Sequence, residues 1–163
     1  MLISNILNNL AECLKNNSQS LEEARQRAEK ALDLKKKIDP NLAQIWSTYM
    51  LLAKIAEQQN QPVQAKCYRY CAIETKANLF KTQYELQKFK GLITTVIDYV
   101  AKPKQQRIVL QLMKENELPE KLIAIFQRVF DGERDLDNLC KENLEFSMII
   151  YFILERLKNN TLG

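Results

Sequence analysis

The sequence predicts an all-α protein, and three observations carry that prediction. Apolar residues recur every three or four positions along almost the whole chain, the spacing of one face of an α-helix. No segment shows the strict alternation of a half-buried strand. Gly and Pro are scarce, 3 and 4 among 163 residues, whereas strands joined by tight turns would need more of both. The length favours a single domain, residues 1–163. The 46% hydrophobic fraction supplies material for a core.

Each element can be justified in order. Ile3, Ile6, Leu7, Leu10 and Leu14 mark a first amphipathic helix that stops at Lys15-Asn16-Asn17. Ser20-Leu21-Glu22-Glu23 has the form of a capping box and opens a second helix. Its inner stripe is Ala24, Ala28, Ala31 and Leu32, with Leu34. Asp39-Pro40 pairs a cap with a first-turn proline. The third helix it opens carries Leu42, Ile45, Trp46, Tyr49, Leu52, Ala53 and Ala56. Gln58-Gln59-Asn60-Gln61 is a polar stop. Pro62 opens a fourth helix with Ala65, Tyr68, Ala72 and Ala77, extending through Tyr84 and Leu86. Gly91 is read as a break. A fifth helix follows with Leu92, Ile93, Val96, Ile97 and Val100. Pro103 starts a sixth with Ile108, Val109, Leu112 and Met113 inward. Pro119 starts a seventh with Leu122, Ile125, Phe126 and Val129, ended by Asp131-Gly132. A short helix over Asp135–Cys140 and a last one from Asn143 to Lys158 complete the chain.

The first four helices repeat. Leu10-Ala11-Glu12-Cys13-Leu14-Lys15 matches Leu52-Ala53-Lys54-Ile55-Ala56-Glu57. Ala24 and Ala31 match Ala65 and Ala72, each pair seven apart and 41 residues from its counterpart. Repeated helix pairs imply a stacked solenoid. This pattern resembles the tetratricopeptide repeat (TPR), which places a small residue after a Leu in its first helix and two alanines seven apart in its second. Tyr68 fits the aromatic the family tends to carry between those alanines. The repeat is seven residues longer than the family's length of about 34, which is about two helical turns, so the same face stays inward. The family's later proline is missing after Ala72 and displaced to Pro40 in the first copy. The resemblance covers residues 5–80. It implies antiparallel hairpins stacked as a short TPR-like solenoid over residues 1–88, with 89–163 as a C-terminal helical cap.

Charge and residue chemistry narrow the function. Residues 1–130 hold 20 Lys/Arg and 13 Asp/Glu, a net +7, while residues 131–163 hold 4 and 7, a net −3. Histidine is absent, which removes the commonest general base and zinc ligand. There is no Ser/His or Cys/His couple and no glycine-rich phosphate loop. The expectation is therefore a chain that is not an enzyme and needs no cofactor.

Cys67 and Cys71, four apart with Tyr68, Arg69 and Tyr70 between them, share a helix face. A structural metal site needs about four ligands, and the other two cysteines, Cys13 and Cys140, are distant. Core or helix-contact thiols are expected, with Tyr68 and Tyr70 on different faces. The stretch from Asp131 to Glu142 imitates a calcium loop but has Leu136 where the turn needs glycine. Its acids read as helix N-terminal charges instead. Residues 1–15 lack the basic start and apolar run of a secretory leader. The longest apolar run, Met148–Leu154, is about seven residues where a membrane span needs roughly 20. A cytoplasmic protein with reduced thiols and no membrane contact is expected. That apolar run is also a candidate surface for pairing with a second copy.

The TPR resemblance implies a non-catalytic scaffold or adaptor whose first helices line a concave groove for a peptide or helix of a protein partner. The groove residues it assigns are Asn5, Asn8, Glu12 and Lys15 in the first copy and Ser47, Met50, Lys54 and Glu57 in the second. Lys54 with Glu12, and Glu57 with Lys15, are candidate pairs across the groove. The set with which some family members clamp a terminal carboxylate is not reproduced, because Met50 and Leu51 stand where polar groups are wanted. A competing reading takes the nine bases Lys66, Arg69, Lys76, Lys81, Lys88, Lys90, Lys102, Lys104 and Arg107 as a nucleic-acid surface. They are spread over several helices, so solvated faces are the preferred account.

Overall fold

The computed structural model describes residues 2–16, 20–38, 44–80 and 84–160, with the side chains at 80, 84–86, 88 and 160 excepted. Among the described residues there are nine α-helices, one short 3-10 turn and no strand. The helices gather into two compact units, residues 1–79 and 80–163.

The first unit contains α1 (Leu2–Leu14), α2 (Leu21–Lys36), α3 (Ile45–Gln58) and nearly all of α4 (Pro62–Phe80). Asp39-Pro40 and Leu42, read above as the opening of the third helix, lie outside the described residues. The α2 start falls where the capping box places it, but the Ser20 side chain makes no capping hydrogen bond. Glu22 and Glu23 in the first turn, and Lys35 and Lys36 in the last, complement the helix dipole instead. α2 and α3 run antiparallel. Gln59 donates to Glu22 at one end (3.3 Å) and Lys35 to Thr48 near the other (3.0 Å). Glu57–Arg69 and Trp46–Lys76 show the same arrangement for α3 and α4.

Alanine builds this unit. Ala11, Ala24, Ala28, Ala31, Ala53, Ala56, Ala65, Ala72 and Ala77 are all buried. Side chains this small let helix backbones approach closely, and Leu7, Leu32, Leu51, Leu52 and Ile55 fill the spaces between them. Tyr49 and Tyr68 lie against this core with ring centroids 6.4 Å apart. Desolvation raises the pKa of the Tyr68 phenol, with the Glu29 charge adding to it.

The second unit contains α5 (Tyr84–Val100), α6 (Pro103–Glu115), α7 (Glu120–Phe130), α8 (Leu136–Cys140), a 3-10 turn (Leu144–Phe146) and α9 (Ser147–Asn160). Gly91 does not break a helix. It sits inside α5 with open space around its α-carbon, and its carbonyl accepts a hydrogen bond from Thr95 (2.9 Å). A lone helical glycine costs only about 1 kcal/mol, which the neighbouring apolar turns offset. Large side chains make the core: Phe126, Leu139, Ile150, Ile153, Val96 and Val129 are all fully buried. On α6 the inward set is Val109, Leu110 and Met113; Ile108 and Leu112, read as core, are exposed. Gln106 ties α6 to the end of α5 by donating to the carbonyls of Tyr99 and Val100 (3.0 and 2.9 Å).

Three helices end in the same cap. After α3, α6 and α7 the backbone turns left-handed at Asn60 (φ 57°), Glu117 (φ 57°) and Gly132 (φ 99°). In each the next amide reaches back five residues in Schellman fashion: Gln61 to Ala56, Leu118 to Met113 and Glu133 to Arg128. Gly132 is the residue type this conformation favours, whereas Glu117 adopts it at a steric cost.

Candidate functional site

The eight sequence-assigned groove residues lie on α1, on α3 and, for Lys15, just past the end of α1, and the structure treats them unequally. Asn5, Glu12, Lys54 and Glu57 are exposed; Asn8, Lys15, Ser47 and Met50 are half-buried. The expected cross-groove ion pairs are replaced by others. Lys15 pairs with Glu12 in the last turn of α1, and Glu57 pairs with Arg69 on α4. Short-range geometry explains this: i,i+3 partners are already neighbours, and Arg69 is carried beside Glu57 by the α3–α4 hairpin. The Ser47 hydroxyl caps the carbonyl of Gln44 (2.8 Å).

Asn8 has an internal task. Its amide oxygen accepts from the Thr48 hydroxyl (2.9 Å), which in turn accepts from the Lys35 ammonium (3.0 Å). This chain crosses α1, α3 and α2. Thr48 is 0% exposed and Lys35 3%. No carboxylate faces the lysine among the described residues, and burial pushes its pKa down. Sequence reasoning missed Lys35, although the signal is present. It continues the register Ala24, Ala28, Ala31, where an inward residue belongs.

The larger surprise is the outward side of α1. Leu2, Ile3, Ile6 and Leu10 are 75, 68, 55 and 40% exposed. Ile3, Ile6 and Leu10 were expected to face inward. The helix instead buries Ser4, Leu7 and Ala11. The reason is the close approach to the alanine face of α2, which small residues at positions 4 and 11 permit. With Ala11 inward, Leu10 is rotated about a quarter to a third of a turn away. Positions 3, 6, 10 and 13 then form a stripe along one edge of α1. Asn5, Asn8, Glu12 and Lys15 form the opposite edge, the one that meets α3 through Asn8. Exposed Cys13 ends the apolar stripe.

The Cys67–Cys71 pair is divided between environments. Of the thiols expected in the core or at helix contacts, Cys67 is exposed and Cys71 half-buried. Burial raises the Cys71 pKa, with the Cys67 thiol adding to it. Tyr68 packs on Tyr49 while Tyr70 is exposed, on different faces as the spacing required. Cys140 is enclosed in the second unit, and desolvation pushes its pKa up to about 12. Among the described residues no cluster of three or more metal-ligating side chains occurs. In the stretch from Asp131 to Glu142, Asp135 caps α8 by accepting the amides of Asp137 and Asn138. Glu133 accepts those of Arg134 and Asp135.

The bases of residues 66–107 fall in both units. Arg69 is buried against Glu57, Lys76 lies over the Trp46 ring (4.9 Å), and Lys102 lies over Tyr99 (4.9 Å). Lys81 and the Lys88 side chain are outside the described residues. In the run Met148–Leu154, five residues are buried and Met148 and Phe152 half-buried. No helix among the described residues is long and apolar enough to cross a membrane. Comparison of the chain with family models, curated proteins and solved structures gave no match.

Proposed function

We propose that the chain is a non-catalytic protein–protein interaction module, a TPR-like scaffold or adaptor of the cytoplasm. Its partner docks as an amphipathic helix along the open edge of α1. One observation carries this reading: Leu2, Ile3, Ile6 and Leu10 stand exposed at helical spacing on a helix that already buries a different face. Apolar patches of this kind mark interaction sites. An amphipathic helix reads such a stripe through anchors at i, i+3, i+4 and i+7. α1 gives one face to α2 and one edge to α3, so a partner helix on its other edge would continue the stacking. Exposed Asn5, Glu12, Lys54 and Glu57 belong to the groove side, opposite this docking edge.

The test places a photo-crosslinking side chain at position 6 and, as a control, at the isolated exposed position 63. Expected is a protein captured from position 6 and not from 63, retained in high salt. The double variant Ile3→Asp/Ile6→Asp should lose it at least about tenfold without lowering the melting temperature. Lys54→Glu, on the groove side, should leave it unchanged. Capture indifferent to Ile3→Asp/Ile6→Asp overturns the α1 docking edge. Recovery of only nuclease-sensitive, salt-labile material moves the function to nucleic acid.

A further inference from the structure

The second unit holds an open cavity of about 420 Å³, within the size range of small-molecule sites, about 300–1,000 Å³. Its floor is Ile97 and Val100 from the last turns of α5 with Leu154 and Leu157 from α9. Ala101 adds to the apolar lining. Two cations complete the lining: Arg134, on the turn between α7 and α8, and Lys158 on α9. Among the described residues no acid and no aromatic ring belongs to the wall.

The two cations are held differently. Arg134 Nη1 donates to the carbonyls of Val129 (2.6 Å) and Glu133 (2.8 Å), which fixes the guanidinium on its turn. The Glu133 carboxylate is occupied with the amides of Arg134 and Asp135 and lies 3.9 Å from Arg128. Lys158 pairs with Glu155 one turn back (2.8 Å), with side chains 60% and 37% exposed. Water screens a pair this open, so the pair itself contributes little.

An apolar lining with two exposed cations fits a ligand that is apolar at one end and anionic at the other. We propose that this cavity binds an amphipathic monocarboxylate of the fatty-acid class. The chain lies on Ile97, Val100, Leu154 and Leu157, and the carboxylate sits between Arg134 and Lys158. Charge-assisted hydrogen bonds from a guanidinium are the strong kind, and they give the site its preference for a carboxylate over an uncharged head group. The proposal concerns the second unit alone and does not depend on the α1 edge.

The full chain would be titrated with decanoate below its micelle concentration and followed through the methyl NMR signals of Ile97, Leu154 and Leu157. Decanol and decylamine serve as head-group controls. Expected is saturable one-site binding of decanoate, with both controls weaker by about tenfold or more. Arg134→Gln and Lys158→Glu should each weaken decanoate several-fold and leave decanol unchanged. Lys158→Glu, on an exposed helix surface, keeps the test valid if Arg134→Gln loosens its turn. Equal binding of decanoate and decanol, indifference to Lys158→Glu, or the absence of saturable binding would each overturn the proposal.

Discussion

The two units solve the same problem with different materials. The first packs helices through alanine, nine of them buried, and keeps a lysine and a threonine inside. The second packs them through Phe, Ile, Leu and Val, with Phe126, Leu139, Ile150 and Ile153 fully enclosed. Small residues bring backbones close but bury little apolar area per side chain; large ones bury more, at about 25 cal/mol per Å². The lesson is that the units should be vulnerable in opposite directions. The first is sensitive to added volume, the second to removed volume.

The largest effect should come from Phe126→Ala. Truncating a fully buried phenylalanine removes transfer energy and leaves a cavity, together about 3–5 kcal/mol. Denaturant unfolding measures the loss, and Cys140 gives a local readout. Its enclosed thiol, with a pKa near 12, should react with alkylating reagents faster in the variant, while exposed Cys13 keeps its rate. Unchanged Cys140 protection would break the contrast.

The converse change is Ala28→Leu. Forcing extra methylenes between α1 and α2 should cost about 1–3 kcal/mol. A leucine tolerated there without loss would mean that the alanine line is not a close contact.

Next comes Lys35→Met, which should stabilise the first unit at neutral pH. It removes an amine buried without a carboxylate partner while keeping the side chain's length. The sign follows from linkage. Burial lowers the folded pKa of Lys35 below its ordinary 10.5, so between those two values the unfolded chain binds more protons. Stability then rises with pH across that window and carries a constant penalty below it. The difference in melting temperature between wild type and Lys35→Met should shrink as pH rises towards 10.5, and a constant difference would refute the account.

The smallest effect should be a gain. Glu117→Gly relieves a left-handed residue at the end of α6 and should stabilise the second unit by up to about 1 kcal/mol. Gly132→Ala, at the equivalent place after α7, should have the opposite sign. Equal signs would mean that the two caps are not equivalent.

Much of this was legible in the sequence, because helices announce themselves locally. Pro62, Pro103 and Pro119 stand at or just before helix starts, and Asp131-Gly132 stands at a helix end. A proline ring or a left-handed turn acts on its own few residues. The all-α class and four of the buried positions of α7, Leu122, Ile125, Phe126 and Val129, followed from apolar spacing, while Ile123 and Phe130 did not. The Ala24–Ala31 and Ala65–Ala72 registers also marked buried faces. Gly91 misled, since a weak helix former breaks a helix only where its neighbours do not pack, and packing is not a local property.

What only the tertiary structure decided was which way each two-sided helix turns. In α1, apolar residues lie on more than one side, and periodicity says that faces exist without ranking them. The alanine surface of α2 admits the side with Ser4 and Ala11, and thereby leaves Ile3, Ile6 and Leu10 outside. The same distant contact encloses Lys35 and binds Asn8 to Thr48, 40 residues away in sequence. Spacing determines the elements because a helix repeats within itself. The surface left for a partner is whatever close packing between distant residues does not consume.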